Sequence, residues 1–140
     1  METRTVLFVD DDELMLRSLQ RGFLDEQFDR YFAGSGAEAL EILRREEVHV
    51  LVTDIYMPEM LGTELIRIVN KEYPHVVSVI LSGSPPDDDL IKAKHLGNIF
   101  KFVSKTLTLE KDLKPIVQQA IDHFNARTER KELVTNPEMS

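Results

Sequence analysis

Polar residues stand behind four apolar runs: Asp10 and Asp11 after residues 6–9, Asp54 after 48–52, Ser82 after 76–81, and Lys105 after 99–103. If these runs are strands of one parallel sheet, their carboxyl ends line a single crevice, the place where ligands bind in open α/β folds. The crevice then holds three carboxylates, one hydroxyl and one ammonium. That set suits a divalent cation and a phosphoryl group, with Asp54 as the residue that carries the phosphoryl. Adjacent strands lie ~4.8 Å apart, so carboxylates on neighbouring strand ends approach within about 5 Å. At an effective dielectric of ~20, one such repulsion costs roughly 3 kcal/mol. A hard divalent cation supplies the counter-charge, and Mg²⁺ takes one or two carboxylates together with waters and phosphate oxygens. Ser82 lies one strand from Asp54, within reach of a short hydroxyl. Lys105 lies two strands away, roughly 10 Å by strand spacing. Only a long side chain closes that gap, and its point charge suits phosphate.

The elements that must position these residues alternate between strand-like and helix-like segments. Residues 6–9 are continuously apolar, as in a strand buried on both faces. Asp12 then reads as a helix N-cap, with Glu13 in the first turn and Leu16, Leu19 and Phe23 as the buried stripe. Residues 28–33 have mixed polarity, which suits an edge strand. After the turn at residues 34–36, Ala37, Leu40 and Leu43 mark a second helix. The third strand, 48–52, is interrupted by His49, which reads as a partly buried strand residue and not as a metal ligand. Gly62, Leu65, Ile66 and Val69 share one helical face. Residues 76–81 form a fourth strand. The Asp87, Asp88 and Asp89 cluster opens a short helix ending near Gly97 and reads as capping and solvated surface. Residues 99–103 form a fifth strand with Lys101 at an edge. The clearest helix follows on Leu109, Leu113, Ile116, Val117, Ala120, Ile121 and Phe124.

Five such units imply an α/β fold: a flavodoxin-like, five-stranded parallel sheet in the order 2-1-3-4-5, with five helices on both faces. That order sets the strands bearing Asp10, Asp11 and Asp54 side by side. Residues 1–125 read as one domain. Residues 126–140 read as an unstructured polar tail or linker, with no output domain in this chain.

The chain has 140 residues, no cysteine and a net charge of −8. A disulfide framework and a thiolate zinc site are therefore excluded. The acidity speaks against direct nucleic-acid binding, which leaves a basic footprint. No apolar run approaches the ~20 residues of a membrane helix, and the N-terminus shows no signal-peptide pattern. The expectation is a cytoplasmic protein.

Several segments together resemble the receiver domain of two-component response regulators. They are Leu7-Phe8-Val9-Asp10-Asp11, Val50-Leu51-Val52-Thr53-Asp54-Ile55-Tyr56-Met57-Pro58, Gly62, Val79-Ile80-Leu81-Ser82-Gly83 and Phe102-Val103-Ser104-Lys105, with Gly36-Ala37-Glu38-Ala39-Leu40 also similar. The resemblance covers roughly residues 4 to 125. It implies that Asp54 accepts a phosphoryl group from a histidine kinase, a phosphotransfer protein or a small donor such as acetyl phosphate. The domain would catalyse its own phosphorylation and dephosphorylation, with no separate substrate turnover. Asp11, Asp54 and the carbonyl of Tyr56 would bind Mg²⁺, with Asp10 in support. Ser82 and Lys105 would hold the phosphoryl oxygens, and Ser82 and Phe102 would switch position. The face around the fourth helix and fifth strand would then alter binding to an effector protein or a covalently linked output domain, with a phosphorylation-dependent homodimer as a further option.

Two features depart from the family pattern. Thr106 stands where the family usually has proline after the lysine. A cis bond before a non-proline residue costs ~3 kcal/mol, so the Lys105–Thr106 peptide is expected trans. Tyr56 stands two residues after the phosphoacceptor, where its ring could shield an acyl phosphate from water. Two rival readings remain open on the sequence. A haloacid-dehalogenase-like phosphatase would use Asp10 as nucleophile in an Asp-x-Asp pattern with Asp12. A receiver-like interaction module would work without phosphate.

Overall fold

The computed structural model describes residues 3–83, 98–105 and 112–135, with side chains as far as residue 130. Five strands and four helices follow one another within these residues. They are β1 (Thr5–Val9), α1 (Glu13–Gly22), β2 (Asp29–Ala33), α2 (Gly36–Arg45), β3 (Val50–Thr53), α3 (Gly62–Glu72), β4 (Val77–Ser82), β5 (Ile99–Ser104) and α4 (Lys114–Thr135). The strands form one parallel sheet in the order β2-β1-β3-β4-β5. The flavodoxin-like order expected from the sequence is the order found. The fourth of the five expected helices, over residues 87–97, lies outside the described residues, as do Leu109 and Thr106.

Successive side chains of a strand point to opposite faces, and the core divides accordingly. On one face Val6, Phe8, Val50, Val52, Val77, Val79 and Val103 pack under Leu19 and Phe23 of α1 and Val117, Ala120, Ile121 and Phe124 of α4. On the other, Leu7, Val9, Leu51 and Ile80 pack under Ala39, Ile42 and Leu43 of α2 and Leu65, Ile66 and Val69 of α3. The central strands are covered twice, which is why their sequences are apolar without alternation. β2 has one neighbour, β1, and lies at an edge, as its mixed polarity predicts.

Helix starts are fixed by local chemistry. The Asp12 carboxylate accepts from the N–H groups of Leu14 at 2.9 Å and Met15 at 3.4 Å, so Asp12 is the cap of α1. At α2, Ser35 Oγ accepts from the Glu38 N–H at 3.1 Å. Glu38 Oε2 in turn accepts from the Gly34 N–H at 3.1 Å, a reciprocal cap. The buried face of α2 is Gly36, Ala39, Ile42 and Leu43. Ala37, expected on that face, is exposed, and Leu40 is half-buried.

The C-terminal helix departs most from expectation. It runs without interruption past Asn125 to Thr135, so the start of the supposed unstructured tail is helical. Arg127 Nη1 donates to Asn98 Oδ1 at 2.8 Å. Asn98 has a positive φ of 59°, a conformation that asparagine tolerates better than most residues. Its Nδ2 donates to the carbonyls of Pro74 at 3.1 Å and Val76 at 2.9 Å. One asparagine thus joins the entry to β4, the entry to β5 and α4. Just beyond it the β4–β5 register slips: Ser78 faces Ile99, but Val79 faces Lys101, leaving Phe100 as an extra residue.

Candidate phosphoacceptor site

Ladder hydrogen bonds continue one residue past the strands and set the site residues in register. Asp54 N donates to Val9 O at 3.1 Å, Asp10 N to Ala33 O at 3.0 Å, and Lys105 N to Ser82 O at 3.0 Å. Asp10 and Asp54 therefore start from adjacent strand ends, and so do Ser82 and Lys105. Lys105 extends back across β4. Its Nζ lies 3.0 Å from Asp54 Oδ2 and 2.7 Å from Asp10 Oδ2. Carboxylate oxygens of Asp10, Asp11 and Asp54 all lie within 4.8 Å of one another. The separation expected from strand spacing is the separation found.

Both inner carboxylates are sequestered: Asp10 is 1 % exposed and Asp54 7 %, whereas Asp11 is exposed. Each is also gripped by backbone. Asp10 Oδ1 accepts from the Asp12 N–H at 3.0 Å, and Asp54 Oδ1 accepts from the Ile55 N–H at 2.8 Å. Burial pushes the Asp10 carboxyl above its ordinary value and outweighs the opposing bonds from Lys105 and the Asp12 N–H. For Lys105, burial works to lower the pKa. The hydrogen bonds and charges of Asp10 and Asp54 together outweigh it, and the ammonium ends above its ordinary value. The two ends of the 2.7 Å pair thus do not shift as mirror images, because Asp10 is far more enclosed than Lys105, whose side chain is 22 % exposed.

Three carboxyl groups share one ammonium in the crevice. This donor set, all oxygen and clustered within reach of one ion, fits a hard divalent cation.

The remaining candidates lie close by. Ser82 ends β4, is buried, and shares a ladder bond with Lys105. Tyr56 and Phe102 are half-buried and pack against the α2–α3 side of the core. Asp12, the second aspartate of the phosphatase reading, is occupied as the α1 cap. His49 sits at the other end of β3 and is more deeply buried than expected, at 4 % exposure. Its Nδ1 accepts from the Thr5 N–H at 2.9 Å.

Two contributions were not visible in the sequence. Gly62 opens α3 directly against the segment Asp54–Ile55. Its N–H donates to Ile55 O at 2.7 Å, and a Cβ there would overlap the Asp54 carbonyl oxygen and lie 2.9 Å from its carbon. Thr53, wholly buried, donates from Oγ1 to the same Asp54 carbonyl at 2.9 Å. The signals were Gly62 itself, already one of the residues of the family resemblance, and a hydroxyl closing an apolar strand.

Comparison with known proteins agrees with this geometry. The transcriptional regulatory protein GlrR of Escherichia coli K12 is 33 % identical over 117 residues, which is 84 % of this chain and 25 % of GlrR. The chain spans about a quarter of the length of the curated relatives it matches. Among solved structures, the signal receiver domain of an HD domain-containing protein from Pseudomonas fluorescens Pf-5 superposes with a TM-score of 0.85. It is 26 % identical, over 89 % of this chain and 99 % of that one. The beryllofluoride-activated NtrC4 receiver domain dimer gives a TM-score of 0.75 at 27 % identity, over 86 % of this chain and 98 % of that one. Residues 6–118 match the family described as the response regulator receiver domain, and the chain belongs to that family.

Proposed function

We propose that the crevice is a phosphoacceptor site and that the chain is the phosphorylation-dependent switch of a two-component phosphorelay. The observation that supports this best is Lys105 Nζ, held at 2.7 Å from Asp10 and 3.0 Å from Asp54. A cation fixed beside a nearly buried carboxylate is placed to neutralise charge on a group transferred to that carboxylate.

In this reading Asp54 Oδ2 attacks the phosphorus of a phosphohistidine on a kinase or phosphotransfer protein, or of acetyl phosphate. The O–P bond forms as the bond from phosphorus to the donor nitrogen or oxygen breaks, and the leaving group takes the electron pair. Lys105 and Ser82 hold the phosphoryl oxygens. Asp10, Asp11, Asp54 and the Tyr56 carbonyl would hold Mg²⁺, which when bound neutralises charge on the transferring group. The product is an acyl phosphate that water later hydrolyses. A phosphoryl group adds nearly two negative charges at neutral pH. Lys105 then has a new partner to choose over the carboxylates, and Ser82 and Phe102 respond around β5. The altered face binds an effector protein, a linked output domain or a second receiver. The setting is the cytoplasm; among the described residues no helix is long and apolar enough to cross a membrane.

Incubation with acetyl phosphate and Mg²⁺, followed by intact mass, tests the reading. Wild type should gain one phosphoryl group and Asp54→Asn none. No gain in wild type, with acetyl phosphate and also with a phosphorylated histidine kinase, would leave a phosphate-independent interaction module. A gain kept by Asp54→Asn and lost by Asp10→Asn would favour the phosphatase-like nucleophile. The 1 % exposure of Asp10 speaks against that outcome.

A further inference from the structure

We infer that Thr53 is a positioning residue for the phosphoacceptor: its hydroxyl fixes the rotation of the Asp54–Ile55 peptide, and so fixes the plane in which the Asp54 carboxylate presents an oxygen to the crevice. The inference rests on the reading of Asp54 as phosphoacceptor.

A peptide group is a rigid plane with its C=O and N–H on opposite edges. Turning one edge turns the other. In this peptide both edges are engaged. The Asp54 carbonyl accepts from Thr53 Oγ1 at 2.9 Å, and the Ile55 N–H donates to Asp54 Oδ1 at 2.8 Å. The carbonyl fits because Gly62 has no Cβ to displace it. With Oδ1 held by the backbone, Oδ2 is the oxygen left toward Lys105, 3.0 Å away. If the peptide rotates, Oδ1 loses its donor. The carboxylate is then free to turn about its Cβ–Cγ bond, and no oxygen is held in line with Lys105.

Threonine suits this task. Branching at Cβ restricts χ1, so the hydroxyl has few orientations. Thr53 is wholly buried at the end of a strand otherwise made of Val50, Leu51 and Val52. Valine would match its shape there but could not donate.

Two variants separate hydroxyl from shape: Thr53→Val removes the donor and keeps the branch, and Thr53→Ser keeps the donor. Phosphorylation of Asp54 is followed against acetyl phosphate concentration with Mg²⁺, and hydrogen exchange of the Ile55 amide is followed by NMR in the unphosphorylated protein. The valine variant should lower the maximal rate about tenfold, short of the ~100-fold cost of a ~1 Å misplacement. Its half-saturating donor concentration should not change, and its Ile55 amide should exchange faster. The serine variant should restore the rate and the exchange. Wild-type rate and exchange in Thr53→Val, or equal rate losses in both variants, would overturn the assignment. If wild type takes no phosphoryl group, the phosphoacceptor reading fails by itself. The Ile55 amide then still decides whether Thr53 locks the peptide.

Discussion

Lys105 is shared by two carboxylates, Asp10 and Asp54, of which Asp10 is the more enclosed. Asp10 is almost sealed from water, and burial governs its protonation despite a 2.7 Å ion pair. A carboxyl whose pKa is raised on folding costs stability at pH values above it. Lys105 keeps its bond to Asp54 when Asp10 is neutralised, so Asp10→Asn should raise the urea-unfolding midpoint at neutral pH and should weaken Mg²⁺ binding; a lower midpoint would show that the ion pair outweighs burial. For Tyr56 the proposed role is in the lifetime of the acyl phosphate. Its ring is half-buried against the α2–α3 side of the core, two residues after Asp54, and Tyr56→Asn should let water in and speed decay of the acyl phosphate. Equal or slower decay in the variant would remove the shielding role. His49 carries a pH dependence of its own, far from the crevice. Burial, then the charge of Arg4, lowers its pKa below the ordinary 6.5, with Glu47 opposing and His75 adding to the effect. Its Nδ1 must stay unprotonated to accept from the Thr5 N–H. The unfolded chain binds that proton first, so the stability contribution is present above pH 6.5 and is lost as pH falls through the native pKa. His49→Asn supplies an acceptor that does not titrate. Urea midpoints measured between pH 7 and pH 5 should fall less steeply in that variant, and identical slopes would exclude His49 as the cause.

At the scale of elements, the start of α3 is where packing and chemistry meet. Alanine is normally better than glycine within a helix. Gly62→Ala should nevertheless destabilise by about 1–3 kcal/mol, the usual cost of forcing atoms into a filled space, because its Cβ meets the Asp54 carbonyl. Gly83→Ala is the control: the added Cβ would lie 3.5 Å from Lys105 Cδ, an ordinary contact, so its unfolding curve should stay close to wild type. The elements differ in how well the sequence announces them. Strands covered on both faces appear as apolar runs, and once their order is set the positions of Asp10, Asp54, Ser82 and Lys105 follow. The phase of α2 was not legible. Gly36 and Ala37 are both small, and Gly36 is the buried one because Met60 lies over it, with Sδ 2.5 Å from where a Cβ would be. Thr53 had no role in the sequence reading, since nothing in a sequence shows a hydroxyl turning back onto the next carbonyl. The end of α4 was hidden for a different reason. Beyond Asn125 it has no apolar stripe, and its helicity comes from good helix formers such as Ala126, Arg127, Glu129 and Arg130.

For the molecule as a whole, Asn98 is the joint between the sheet and the helix that leaves it. Arg127 reaches it from beyond the boundary that composition suggests, so residues past Asn125 belong mechanically to the domain. Arg127→Met should lower stability by about 1 kcal/mol, the typical worth of one such bond. Thermal or urea unfolding that leaves this variant unchanged would mean that the bond exchanges freely with water. Asn98→Gly is the complementary variant, since glycine accepts the positive φ and discards only the side-chain bonds. The joint also gives α4 a mechanical property. At 1.5 Å per residue, the stretch from Arg127 to Thr135 extends ~12 Å beyond its tie, and a tilt of ~10° there carries the tip by about 2 Å. The helix is thus a pointer whose fulcrum sits at one end of β5, while Lys105 sits at the other. Any tilt of α4 about Asn98 is therefore largest at Thr135.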